Sequence, residues 1–261
     1  MSGYYLCEGK RAKHPYRIEG IEINLYTIEE LCFYLRENVY LIDETLINER
    51  LCRWLEDELE LSSLALRLRG KLKQEDNVVE LIKPIFREIG YLSKIEQQHI
   101  ASQIASALIQ PEDQRRKHKA DSMVQHGAYG NAIHEYYRIL QTRNQKGVGA
   151  KFFATVLNNM AAAYARLFLF EEAADCLWQS YGMVRSGEVW RRYLAILPLY
   201  LSEKDYQDRV TELKVAPEQL RKVEEKSLAI IKQGLAKAQG IAQTKEYWEM
   251  EKRKYCKETK I

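Results

Sequence analysis

His118 and His126, with Asp121 between them, are the residues whose types and spacing come nearest to a metal site. Metal ligands must converge on one point. At about 100° per residue, a step of eight along a helix leaves the two rings about 80° apart, so they read as surface histidines. The stretch KGVGAKFF (146–153) is glycine-rich, carries lysines and precedes a helix, so its amides could cradle a phosphate. The lysine spacing of a phosphate loop is missing, and the stretch reads as an ordinary connection. Adjacent acids at 29–30, 171–172 and 224–225 point about 100° apart on a helix and cannot flank one substrate bond, so they read as solvated faces. Gly-x-Ser-x-Gly, His-Glu-x-x-His, a Walker loop and a dinucleotide fingerprint are all missing. The expectation is a non-enzymatic protein with no catalytic residues, no metal and no cofactor.

The bulk properties narrow the class further. The 261 residues are 46% hydrophobic and 30% charged, enough to bury a core and too apolar for a disordered chain. The longest apolar runs, MAAAYA and LFLF, fall far short of the roughly 20 residues a bilayer span needs. The start, MSGYYLCEGKRAKH, lacks the apolar core of a secretory signal. Five cysteines at 7, 32, 52, 176 and 256 are scattered and unpaired in spacing, as expected of reduced thiols in a cytoplasmic protein. The net charge of +3 hides an asymmetry. Residues 1–110 carry 14 basic against 18 acidic side chains, and the remainder 26 against 19. That surplus is small for a nucleic-acid binder, and no membrane association is expected.

Helical spacing of apolar residues dominates the chain, with only 5 prolines and 13 glycines to interrupt it. The exception is the start. YYLC (4–7) and the alternating IEGIEINLY (18–26) predict a small two-stranded hairpin. Thr27 and Glu30 form a capping box that opens a helix with Leu31, Tyr34 and Leu35 on its apolar face. Further helices are predicted at 45–57, 61–72, 77–90 and 93–109, with Pro84 kinking the third of these or marking its first turn. IQPED (109–113) is the clearest boundary, with Pro111 placed to serve as the first helical residue. It divides the chain into residues 1–110, a hairpin with helices, and 111–261.

The second part contains an internal echo. KADSMVQHGAYGNAIHEYYRIL aligns with NMAAAYARLFLFEEAADCLWQSY, 41 residues apart. Tyr129 and Ala132 fall on Phe170 and Ala173, Tyr136 on Leu177, and Ala120 on Ala161, with Gly127 at the first turn and Tyr164 in the second copy. The alanines let two antiparallel helices approach closely while the aromatic plugs the turn. This pattern resembles the tetratricopeptide repeat, with the extra residues accommodated by QTRNQKGVGA (141–150). Phe168 stands where the first copy has Gly127, which implies a differently built turn. GEVWRRYLAILPLYL (187–201) looks like the start of a third repeat. A long final helix from Pro217 would cap the stack with its stripe at 220, 223, 227–228, 231 and 235. The fold class expected is all-α, a stack of helical hairpins with an N-terminal helical region and a small β-hairpin. The order of elements resembles uncharacterised bacterial repeat proteins of this kind.

The resemblance implies a concave groove that binds a peptide or protein. Its candidate lining here is Lys117, Asp121, Asn158, Asn159, Arg166, Arg191 and Arg192. Lys117, Asn159 and Arg192 fall on positions that clamp a C-terminal carboxylate in one subclass. Asp121 and Glu188 depart from that clamp, and Asp121 is spaced to pair with Lys117 instead. Tyr137 and Trp178 sit one past core positions and are candidate surface anchors. The function expected is a scaffold or adaptor for a protein partner. The alternative is a regulator in which TIEELCFYLRENVYLIDETLINERLCRWL acts as a DNA-binding helix-turn-helix, although that half is acidic.

Overall fold

The computed structural model describes residues 9–43, 45–74, 76–88, 90, 92–141 and 149–258, and the side chains of the final helix at 217–235, 249 and 250. The fold is mostly helical with one two-stranded antiparallel sheet. The chain divides into two compact units, residues 1–169 and 170–261. Helices assigned from sequence to the repeat region therefore occur in both.

The first unit opens with the sheet. Strands β1 (Tyr16–Ile18) and β2 (Ile23–Leu25) pair Tyr16 with Leu25 and Ile18 with Ile23. Strand β2 and only the last residue of β1 fall within 18–26, the segment expected to be one alternating strand, and the rest of β1 precedes it. Glu22 takes a φ of 56° in the turn, so the chain folds back before Ile23. The other expected strand, 4–7, lies outside the described residues.

Helix α1 (Ile28–Glu37) starts at the expected capping box, in which Thr27 Oγ1 accepts from the Glu30 amide and Glu30 reaches back to the Thr27 amide. Leu31, Cys32 and Leu35 are fully buried along it. A single 3-10 turn, Val39–Leu41, follows. Helix α2 (Glu49–Asp57) begins four residues later than expected, because Asn48 caps it by accepting from the Arg50 and Leu51 amides.

Helices α3 (Ser62–Lys73), α4 (Val78–Glu88) and α5 (Lys94–Leu108) then pack in sequence, α2 on α3, α3 on α4 and α4 on α5. Pro84 lies buried in the interior of α4 rather than in its first turn. Leu51, Leu55, Leu64, Leu68, Ile82 and Ile85 form the core here, each burial contributing about 1.5–3 kcal/mol.

Helices α6 (Glu112–Gln125), α7 (Tyr129–Gln141) and α8 (Ala150–Arg166) complete the first unit, with α6 against α7 and α7 against α8. Pro111 is the cap of α6, one position before the place expected for it. Ala120, Ala132 and Ala161 are buried, with Tyr136. Tyr129 and Tyr164 are half-buried. Lys119 Nζ meets Asp43 at 2.7 Å, Asn131 Nδ2 donates to the Gly20 carbonyl at 3.1 Å, and His118 stacks on Tyr40 at 4.6 Å. These contacts join the N-terminal elements to α6 and α7.

The second unit holds α9 (Phe170–Val184), α10 (Gly187–Ile196), α11 (Glu203–Glu212) and α12 (Pro217–Glu258). Helix α9 packs on α10, and α10 on α12. Ala173 and Leu177 are buried and Phe170 is half-buried. A 3-10 turn at Leu197–Leu199 containing Pro198 ends α10.

Turn geometry recurs. At the end of α6 the Gly127 amide donates to Val124 O (3.1 Å) and the Ala128 amide to Met123 O (2.9 Å), with Gly127 at a φ of 78°. At the end of α8 the Phe168 amide donates to Ala165 O (3.2 Å) and the Leu169 amide to Tyr164 O (3.1 Å), with Phe168 at 62°. After α11, Lys214 at 51° and Val215 repeat the same pair of bonds to Thr211 O and Val210 O. All three are Schellman motifs. The expectation that Phe168 forces a different turn is therefore corrected: the same bonds form, and the side chain accepts a left-handed backbone.

Candidate interaction surfaces

The residues expected to line a groove separate into three places. Lys117, Asp121 and Asn159 converge inside the first unit, and Tyr136 joins them. Lys117 Nζ sits 2.6 Å from Asp121 Oδ2, while Tyr136 Oη (2.5 Å) and Asn159 Nδ2 (2.9 Å) both donate to Asp121 Oδ1. Three helices meet at one carboxylate that is 25% exposed. Burial alone would raise its pKa. The bonds from Lys117, Tyr136 and Asn159 outweigh burial and hold the carboxyl below its usual range. Burial and the Asp121 charge push the Tyr136 phenol well up, so it remains a donor. The i,i+4 pairing anticipated for Lys117 and Asp121 is thus present, and this cluster binds the helices to one another.

Asn158 is half-buried beside it on α8, and Arg166 is exposed at the C-terminal end of that helix. Arg191 and Arg192 lie on α10 in the second unit. There they flank a cleft of about 280 Å³ with Ala195, Lys222, Val223 and Ile230, and Arg192 meets Glu188 at 2.5 Å.

The opposite face of α10 carries a cluster that the alignment placed mostly in the core. Trp190 and Tyr193, three apart, face Trp178 and Tyr181, three apart on α9. Ring centroids lie 5.2 Å apart for Trp178 and Tyr193, 4.8 Å for Tyr181 and Trp190, and 5.9 Å for Trp190 and Tyr193. Arg209 of α11 stands 5.1 Å over the Trp178 ring and donates twice to Tyr193 Oη. Arg185 stands 5.0 Å over Tyr181. Tyr193 is buried, Tyr181 and Trp190 are half-buried, and Trp178 is 38% exposed. The result is a rigid aromatic shelf with one indole open to solvent and guanidinium groups at its rim. Of the two expected surface anchors, Trp178 belongs to this shelf. Tyr137, 54% exposed, lies on α7 in the first unit.

The remaining motifs take local roles. His118 stacks on Tyr40, and His126 Nδ1 lies 2.8 Å from the Ser122 carbonyl, so the two rings serve different neighbours. Residues 146–148 of the glycine-rich stretch lie outside the described residues, and Gly149 precedes α8 as its cap. The acid pair at 29–30 is not a solvated face, because Glu29 is buried and accepts from the Gly9 amide at 2.8 Å while Glu30 closes the capping box. In the segment considered as a recognition helix, Leu51, Cys52, Trp54 and Leu55 are buried, and Arg50 is held by Glu19 at 2.7 Å. Burial pushes the Cys32, Cys52 and Cys176 thiols up to about 12, 11 and 12, with the nearby Glu29, Glu49 and Asp175 charges acting in the same direction.

These features define a mostly helical protein with a small two-stranded antiparallel sheet. No family model, no curated protein and no solved structure matches the chain. No helix among the described residues is long and apolar enough to cross a membrane.

Proposed function

We propose that the chain is a non-enzymatic adaptor of tetratricopeptide-like character that binds a protein or peptide through helical-hairpin surfaces. The observation that supports this reading best is the shelf of Trp178, Tyr181, Trp190 and Tyr193. Interface energy concentrates in Trp, Tyr and Arg held in a packed setting. The shelf supplies all three types with little side-chain entropy left to lose, since Trp178 is held against both Tyr193 and Arg209. Arg209 over Trp178 and Arg185 over Tyr181 put positive charge at the shelf and suit an acidic segment. A cytoplasmic setting agrees with the buried, reduced cysteines Cys32, Cys52 and Cys176.

The test is affinity capture from lysate with the wild-type chain and a Trp178→Ala variant, read by mass spectrometry. A protein held by the first and lost by the folded second supports the reading. Identical recovery with both removes the shelf as its basis.

A further inference from the structure

Helix α10 presents two faces. Trp190 and Tyr193 belong to the aromatic shelf. Arg191 and Arg192 lie on the other side of the helix, where they line the cleft against α12. The α12 wall is formed by Lys222, Lys226 and Ile230 at steps of four, with Val223 beside them. The cleft of about 280 Å³ thus lies between two helix faces of the second unit.

Its apolar part is Val223, which is buried, and Ile230, which keeps 60% of its surface bare. The charged part is strongly one-sided. Arg191, Arg192, Lys222 and Lys226 line the cleft against a single acid, Glu188. That acid is taken up by Arg192, and Lys222 is met by Glu218 at 2.6 Å. Arg191 and Lys226 are exposed and enter none of the ion pairs among the described residues. One of these two cations stands on each wall.

A depression between two helix faces is where the ridge of a third helix packs. Recognition of this kind reads apolar side chains at i, i+3, i+4 and i+7 of the incoming helix. Free cations on both walls then select for acids on both of its flanks and against a basic helix. We propose that this cleft docks a short acidic amphipathic helix of a partner protein. Its apolar stripe covers Val223 and Ile230, and its flanking carboxylates meet Arg191 on one side and Lys226 on the other. The volume admits a few side chains, which is one face of a helix about two turns long. Because the cleft uses the side of α10 away from Trp190 and Tyr193, this inference stands apart from the role proposed for the shelf.

The test is fluorescence anisotropy of a labelled synthetic peptide of about 18 residues, titrated with the full chain. The peptide carries leucines at the i, i+3, i+4, i+7 spacing and glutamates on both flanks. Wild type should bind it saturably, and raising sodium chloride from about 50 to 500 mM should weaken binding about tenfold. The same peptide with lysine for glutamate should bind at least about tenfold more weakly. Arg191→Glu and Lys226→Glu should each weaken the glutamate peptide about five- to tenfold, and Ile230→Gln several-fold. All three sites are exposed, so the variants keep the fold. Arg53→Glu makes the same change of net charge at an exposed arginine of α2 and should leave binding unchanged. Equal affinity for the two peptides, no binding of the glutamate peptide at millimolar protein, or undiminished binding to Arg191→Glu and Lys226→Glu would overturn the proposal. Binding to phosphatidylserine vesicles in place of the peptide would overturn it too, since the basic rim would then be a membrane contact.

Discussion

Asp121 shows how one side chain can change meaning between sequence and structure. On the chain it is an acid placed where a peptide-binding asparagine belongs in the resembled subclass. In the fold it is the acceptor for Lys117, Tyr136 and Asn159. Asp121→Ala leaves three donors without their acceptor and should cost about 2–3 kcal/mol, measured as a lower urea midpoint with unchanged slope. The pH dependence has a definite sign. The folded carboxyls of Asp121 and Asp43 both lie below their unfolded values, so as pH falls to about 4 and below they bind fewer protons folded than unfolded. Their stabilisation is present above about pH 4 and is lost as pH falls through the depressed folded values. Urea midpoints should therefore drop below about pH 4, and Asp121→Asn should flatten that drop while lowering the neutral-pH plateau. Of these partners, only Lys117 was legible in the sequence, because i,i+4 spacing is a local rule. Tyr136 and Asn159 arrive from other helices. No local pattern encodes them.

At the scale of elements, spacing carried most of the information. The helices after residue 26 fall close to the expected spans, since each buries a periodic apolar face against its neighbour. Boundaries moved where a cap outweighed the pattern, as Asn48 does for α2. Period-two alternation does not reveal the reversal at Glu22, so the hairpin forms across 16–25. Phe168 forms the same turn as Gly127, because two backbone bonds hold that geometry for an L-residue. Two opposite predictions follow for these turns. Gly127→Ala should destabilise by about 1 kcal/mol, entirely through its positive φ, because its side chain would meet open space. Lys214→Gly should be neutral to stabilising by up to about 1 kcal/mol, since it relieves a left-handed lysine at an exposed site. Thermal unfolding of the two variants beside wild type checks both. The buried thiols give a third. Cys32, Cys52 and Cys176 should resist a chromogenic disulfide reagent at neutral pH in the native protein and react at once in denaturant, because each stays protonated and shielded.

At the scale of the molecule, the chain is two compact units with different surfaces. The first unit uses polar groups such as Asp121, Lys117, Tyr136 and Asn159 to join its helices. The second exposes an aromatic shelf on α9 and α10, and we take that shelf to be the chief binding surface. The repeat alignment assigns most of these rings to a core. The alignment sees one helix at a time, and the open edge of the Trp178 ring depends on where α10 and α11 end up. The most direct measurement is the dissociation constant of a captured partner for wild type and Trp178→Ala, with circular dichroism confirming that the variant is folded. A binding role for the shelf predicts a loss of about 2 kcal/mol or more, roughly thirtyfold, for Trp178→Ala. Equal affinities for wild type and folded Trp178→Ala would contradict it.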